Sequence, residues 1–161
     1  MNTQRELIDR ALQVESLDAD RLFVDWKWLY PEPVTLVARN AFGDLFFKGS
    51  AGTISWLQVD VGRITKIAAS SSVFLEQLSS GENRETWLLE QDTRAFAEHG
   101  LQPGALQCIG FKIPIVFAEA GTYPDNAYIA DLYEQVSFLG DLHRQLAEHP
   151  DGTKIKLVIK K

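Results

Sequence analysis

The chain has one cysteine, one methionine and three histidines in 161 residues. A lone thiol cannot form an intramolecular disulfide, and no multi-cysteine metal site can be built from it. The apolar neighbours of Cys108 predict a buried, unreactive thiol, because cysteines of low pKa need electropositive surroundings. No apolar run approaches the roughly 18 residues of a membrane-spanning helix. The first residues, Met1-Asn2-Thr3-Gln4-Arg5-Glu6, also lack the basic-then-apolar order of a signal peptide, so a cytoplasmic protein without membrane association is expected. Phosphate loops, Gly-x-Gly-x-x-Gly turns, Gly-x-Ser-x-Gly elbows and His-Glu-x-x-His helices are all missing. These absences remove the most readable enzyme classes and leave no expected cofactor, metal or catalytic residue. A metal nuclease can combine Pro-Asp with a later acid-x-Lys. Here Asp25-Trp26-Lys27 precedes Pro124-Asp125, and Asp151-Gly152-Thr153-Lys154 is one residue too long to put both groups on one strand face.

Positive charge is also scarce: 16 Lys and Arg against 22 Asp and Glu leave a net charge of −6. Between 115 and 151, Glu119, Asp125, Asp131, Glu134, Asp141, Glu148 and Asp151 face Arg144 alone, while Lys154, Lys156, Lys160 and Lys161 end the chain. Phosphate backbones are bound by clustered Lys and Arg, so direct nucleic-acid binding is not expected. A basic protein partner fits this charge better, and the alternative is a surface acidic only for solubility.

The order of elements is legible from periodicity and turn chemistry. Thr3 and Glu6 make a capping-box pattern before Leu7, Ile8, Ala11 and Leu12, predicting an amphipathic helix over 4–16. Pro31 and Pro33 divide the aromatic segment 23–30, read as extended, from the first sheet strand. Strands are predicted over 34–38, 45–48, 53–59 and 63–69, joined by glycine-containing turns as an antiparallel meander. In the third, Ile54 and Trp56 share one face and Leu57 and Val59 the other, which predicts cover on both. Ser70-Ser71-Ser72 caps a helix carrying Phe74 and Leu78, Asn83 caps a second through Trp87 and Phe96, and Gly100 closes it. Residues 107–114, Phe111 included, read as a core strand. Segment 127–132 is ambiguous, 133–147 a helix, and Lys154-Ile155-Lys156-Leu157 an alternating end.

Several residues invite a functional reading and have a simpler structural one. Asp44 follows Gly43 at a strand entry, where a short acceptor bonds a nearby amide. His143 joins an apolar helical stripe, as a satisfied buried histidine does. Gly140 inside a helix costs about 1 kcal/mol against Ala, which predicts close packing on another backbone. The tryptophans Trp26, Trp28, Trp56 and Trp87 read as core and sheet cover, with an exposed interaction surface as the alternative for Trp26 and Trp28, which share a face of the extended segment.

Several stretches recur together in one known setting: Phe42-Gly43-Asp44-Leu45-Phe46, Ile54-Ser55-Trp56-Leu57-Gln58-Val59, Gln107-Cys108-Ile109-Gly110-Phe111-Lys112-Ile113-Pro114, Tyr123-Pro124-Asp125-Asn126, and Phe138-Leu139-Gly140 followed by Leu142-His143. In order and spacing the series resembles the C-terminal domain of bacterial type VI secretion immunity proteins, the antitoxins of DNase effectors. The resemblance covers about 26–153, within a single domain of 1–161 whose residues 1–25 form an N-terminal helical extension. It implies a cytoplasmic protein that binds a cognate secreted toxin, a basic DNase, and occludes its active site. The fold expected is α+β, a mostly antiparallel sheet of about five or six strands with helices on one face and at its ends. Tyr123, Asp125, Asn126, Tyr128, Asp131 and Glu134 are the partner-binding candidates, chosen because a loop there coincides with the densest negative charge. The competing reading is a small-molecule-binding or regulatory domain without catalytic activity.

Overall fold

The computed structural model describes residues 4–120 and 125–149, and these form an α+β fold. Helix α1 (Gln4–Ala11) leads to α2 (Ala19–Phe23), which tightens into a 3-10 turn at Val24–Trp26. Strands β1 (Thr35–Arg39), β2 (Leu45–Lys48), β3 (Ile54–Gln58) and β4 (Arg63–Ala68) come next as an antiparallel meander in that spatial order. Helices α3 (Ser71–Gln77), α4 (Gly81–Leu88) and α5 (Glu90–Glu98) precede β5 (Gln107–Phe111) and β6 (Ala127–Asp131), and α6 (Leu132–Leu146) comes last. Among the described residues, strands β5 and β6 pair with each other alone, so in place of the expected single sheet of five or six strands there is a sheet of four and a separate ladder of two. The reason lies in how β5 meets the meander. Its Ile109 N–H bonds the Ala41 carbonyl at 2.8 Å, in the turn after β1 rather than along an edge strand.

The meander strands fall within a residue of their expected limits because each turn supplies a glycine at positive φ; at Gly43, φ is 91°. Alternation then sorts the side chains. Leu45, Phe47, Leu57 and Val59 meet Phe23, Trp26 and the α6 residues Val136, Leu139 and Leu142 on one face. Phe46, Ile54 and Trp56 meet Leu7, Phe74 and Trp87 on the other. Helices therefore cover both faces, as the two apolar sides of β3 require and beyond the one face expected. A third cluster joins Phe42 and Phe96 to Ile109 and Ala127. Phe111 is only half-buried there, its ring 6.4 Å from those of both Phe42 and Phe96, so it borders this cluster and is not fully inside it.

Local chemistry explains the departures from expectation. The first helix ends at Ala11, short of residue 16, and its capping residue Thr3 lies outside the described residues. Segment 23–30 is not extended: the Asp18 carboxylate caps α2 by accepting from the Arg21 N–H at 3.1 Å, and helical turns continue to Trp26. Asn83 is no cap but sits inside α4, where its amide donates to the Gln77 carbonyl at 3.0 Å. The single helix expected after it breaks at Leu89, whose φ of 52° is left-handed without a glycine to signal it. Ser70 caps α3 as expected, accepting from the Val73 N–H at 3.3 Å.

Gly140 shows why α6 lies where it does. A Cβ there would sit 2.7 Å from the Asp25 carbonyl oxygen and 2.9 Å from Trp26 Nε1, so the helix approaches the 3-10 turn backbone to backbone. Two indole donors complete the seam, Trp26 Nε1 to the Val136 carbonyl at 2.9 Å and Trp28 Nε1 to the Gly140 carbonyl at 3.1 Å. Trp26 is fully buried and Trp28 37% exposed, so of the two only Trp28 reaches solvent. Helix propensity alone would have Gly140→Ala stabilise by about 1 kcal/mol. The contact geometry reverses the sign, and a net loss of about 1–3 kcal/mol is expected in urea denaturation. A gain in stability would show that α6 can move off the turn freely.

Candidate partner-binding surface

The antiparallel register of β5 and β6 sets Gly110 opposite Tyr128 and Gln107 opposite Asp131. Gly110 leaves room on that face: a Cβ there would be 3.1 Å from the Gln135 side chain on α6. Tyr128, 39% exposed, donates its hydroxyl to Gln135 Oε1 at 3.3 Å. Beyond β5 the chain turns outward, and Ile113, Ile115 and Val116 are exposed while Phe117 packs back onto the core.

Asn126 fixes that departure. Its Oδ1 accepts from the Ile113 N–H and its Nδ2 donates to the Ile113 carbonyl, both at 2.9 Å, and its own carbonyl accepts from the Lys112 N–H at 2.7 Å. Asn126 is buried, which corrects its expected role as a contact residue. Side chains that satisfy a backbone segment in both directions are used up structurally, so it positions Ile113 instead of meeting a partner. Asp131 is exposed and also structural, since its Oδ1 accepts from the Glu134 N–H at 3.0 Å and caps α6. Glu134 in the first turn of that helix lies where negative charge is favoured, and its carboxylate is exposed. Asp125 is exposed beside Asn126; Tyr123 lies outside the described residues, as do the lysines after position 149.

The structure sets Asp125, through its neighbour Asn126, beside an apolar loop that the charge count did not single out; Tyr128 lies on the strand pair leading to that loop, and Asp131 and Glu134 lie at the far end of the pair. Ile113, Ile115 and Val116 carried a signal all the same: an apolar run continuing past Pro114 cannot be a buried ladder strand, because proline ends donation there. An exposed apolar centre with an acidic border has the anatomy of a protein-binding surface.

Among the described residues no three His, Cys, Asp or Glu side chains are grouped to hold a metal ion. Ser137 donates to Asp25, but His143 Nε2 lies 3.2 Å from the Asp60 carbonyl, so no serine–histidine pair forms. Burial holds the His143 imidazole below its ordinary pKa and pushes the Cys108 thiol up to about 12, the unreactive state expected of it. Asp44 is the centre of a network. Its Oδ2 accepts from Asn40 Nδ2 at 3.0 Å and Trp56 Nε1 at 3.1 Å, and its Oδ1 accepts from the Val59 N–H at 3.0 Å. Asn40 Oδ1 in turn accepts from the Phe42 and Asp44 N–H groups, both at 3.0 Å. One buried carboxylate therefore ties the β1–β2 turn to β3 and to the residue after it. No protein-family model matches the chain, and no curated protein is significantly similar to it.

Proposed function

We propose that the chain is an immunity protein that binds a cognate secreted toxin, a basic DNase, in the cytoplasm and keeps it from DNA. The observation that carries this reading is the exposed apolar loop Ile113, Ile115 and Val116 next to exposed Asp125, on a strand pair that also presents Tyr128. The sequence resemblance points to the same activity. Inhibition of this kind needs no catalytic group, only stable occlusion of a cationic cleft. Acidic side chains on the border steer association, and the apolar centre slows release.

The two contributions separate kinetically. Asp125→Lys with Glu134→Lys is expected to slow association with the cognate toxin by about tenfold or more at low salt and to weaken its salt dependence. Ile115→Ala with Val116→Ala is expected to leave the on-rate alone and speed dissociation. Stopped-flow and surface-plasmon measurements check both, and an unchanged, salt-insensitive on-rate in the lysine variant would mean that these acids only solvate the surface.

A further inference from the structure

The chain contains two buried arginines, and they are held in opposite ways. Arg84 is 7% exposed and paired, its Nε 3.1 Å from Glu90 Oε2. Arg39, 6% exposed at the end of β1, meets no carboxylate within ion-pair range among the described residues. Its Nε donates to the Asn40 carbonyl at 3.2 Å, Nη1 to the Ala105 carbonyl at 2.9 Å and Nη2 to the Gln107 carbonyl at 2.5 Å. A guanidinium has five N–H donors, so these three bonds leave two for another acceptor. Carbonyls orient the fork without neutralising it, and a buried charge without a counter-charge is costly to keep.

That fork lies in the wall of a cavity of about 410 Å³ enclosed by α1, the end of β1, α5 and the loop before β5. The volume falls in the range of small-molecule sites, roughly 300–1,000 Å³. A second cation joins it: Arg10 on α1 lines the same cavity, and the Gln102 side-chain oxygen, with the amide oriented as its contacts require, accepts from Arg10 Nη1 at 2.7 Å and Nη2 at 3.0 Å. Among the described residues no Asp or Glu lines the cavity, and Leu7, Ala11, Leu88, Ala97, Leu101 and Pro103 supply apolar wall. Thr93 also lines it, but its hydroxyl donates to the Leu88 carbonyl at 3.1 Å and is engaged.

We infer that this cavity binds a small organic carboxylate with an apolar body, the carboxylate on Arg39 and Arg10 and the body against the aliphatic wall. A single planar acceptor group suits two remaining N–H donors. The apolar lining favours an acyl or aryl chain over a polyanion such as a nucleotide, whose several charges would find only these two cations. The inference does not depend on the protein-binding proposal.

Octanoate and phenylbutyrate, with octanol and inorganic phosphate as controls, test this by thermal shift and isothermal calorimetry on the full chain. The carboxylates are expected to raise Tm in a concentration-dependent way, and octanol and phosphate are not. Arg39→Gln should abolish the shift. Because that change also removes a strut between β1 and the loop before β5, Arg10→Ala at the exposed side is the second variant, expected to weaken binding at least about tenfold with an unchanged ligand-free Tm. No shift with either carboxylate would overturn the assignment, as would an equal shift from octanol or undiminished binding by Arg10→Ala.

Discussion

Replacing Asp44 by Ala is expected to lower unfolding stability by about 3 kcal/mol at neutral pH, which is a large fraction of a domain's total. Two effects oppose each other. Burial raises the Asp44 pKa to about 6 from 3.8, so keeping it ionised in the fold costs about 3 kcal/mol, which the alanine variant recovers. Against that, the Asn40 amide, the Trp56 indole and the Val59 N–H all lose their acceptor, at about 1–3 kcal/mol each. The orphaned donors win. The deficit should widen near pH 5, where Asp44 is protonated in the fold and the cost that the alanine variant recovers falls to roughly half. Urea denaturation at both pH values checks it, and a variant as stable as the parent would mean that water replaces the carboxylate without penalty.

The same network gives the pH profile an unusual slope. Asp60 is pushed up to about 8, by burial first and by the Asp44 charge second. Both acids have folded values above their unfolded ones, so their contribution is complete below about pH 4 and is lost as pH rises through 6 and then 8. His143, held low by burial, works in the opposite direction, its contribution falling away as pH drops below its ordinary value of 6.5. With two acids against one imidazole, Asp60→Asn is expected to raise Tm near pH 8 and flatten the profile between 6 and 8. A wild-type Tm that climbs steadily from pH 6 to 8 would contradict the assignment.

Trp26→Ala has the other large expected effect, about 3–5 kcal/mol, because the ring is fully buried and the Val136 carbonyl loses its donor. The indole also stacks on Trp28 with centroids 6.2 Å apart and lies 5.9 Å from the His143 ring, so its loss opens the seam under α6. Trp26→Phe keeps much of the volume and should cost less than half as much. Equal losses from the two variants would assign the effect to the indole hydrogen bond instead of to packing.

How far the sequence reveals this molecule depends on whether a residue's chemistry is local. The meander was legible because glycine turns and period-two alternation act within a few residues, as did the Ser70 cap. Gly140 was legible too, since a helical glycine asks for a close neighbour, although only the fold says that the neighbour is Asp25. Leu89 hid the break between α4 and α5, because nothing in a leucine announces positive φ. Segment 23–30 looked extended from its aromatics and prolines, whereas the Asp18 cap and burial against α6 make it helical. At the surface, polarity misled: Asn126 reads as an exposed contact beside Asp125 and is buried to hold Ile113. The cavity around Arg39 joins residues up to 98 positions apart, from Leu7 to Ala105, and no local pattern marks it.

Neutralisation of a nuclease can be read in a DNA-protection titration. The product of the neighbouring gene, if it cleaves DNA, is held at fixed concentration with plasmid substrate while the purified chain is added. Cleavage is expected to fall linearly to zero at one chain per toxin, and Ile115→Ala with Val116→Ala is expected to shift the endpoint to excess inhibitor. Cleavage that continues undiminished at a large molar excess of folded wild-type chain would contradict the immunity function.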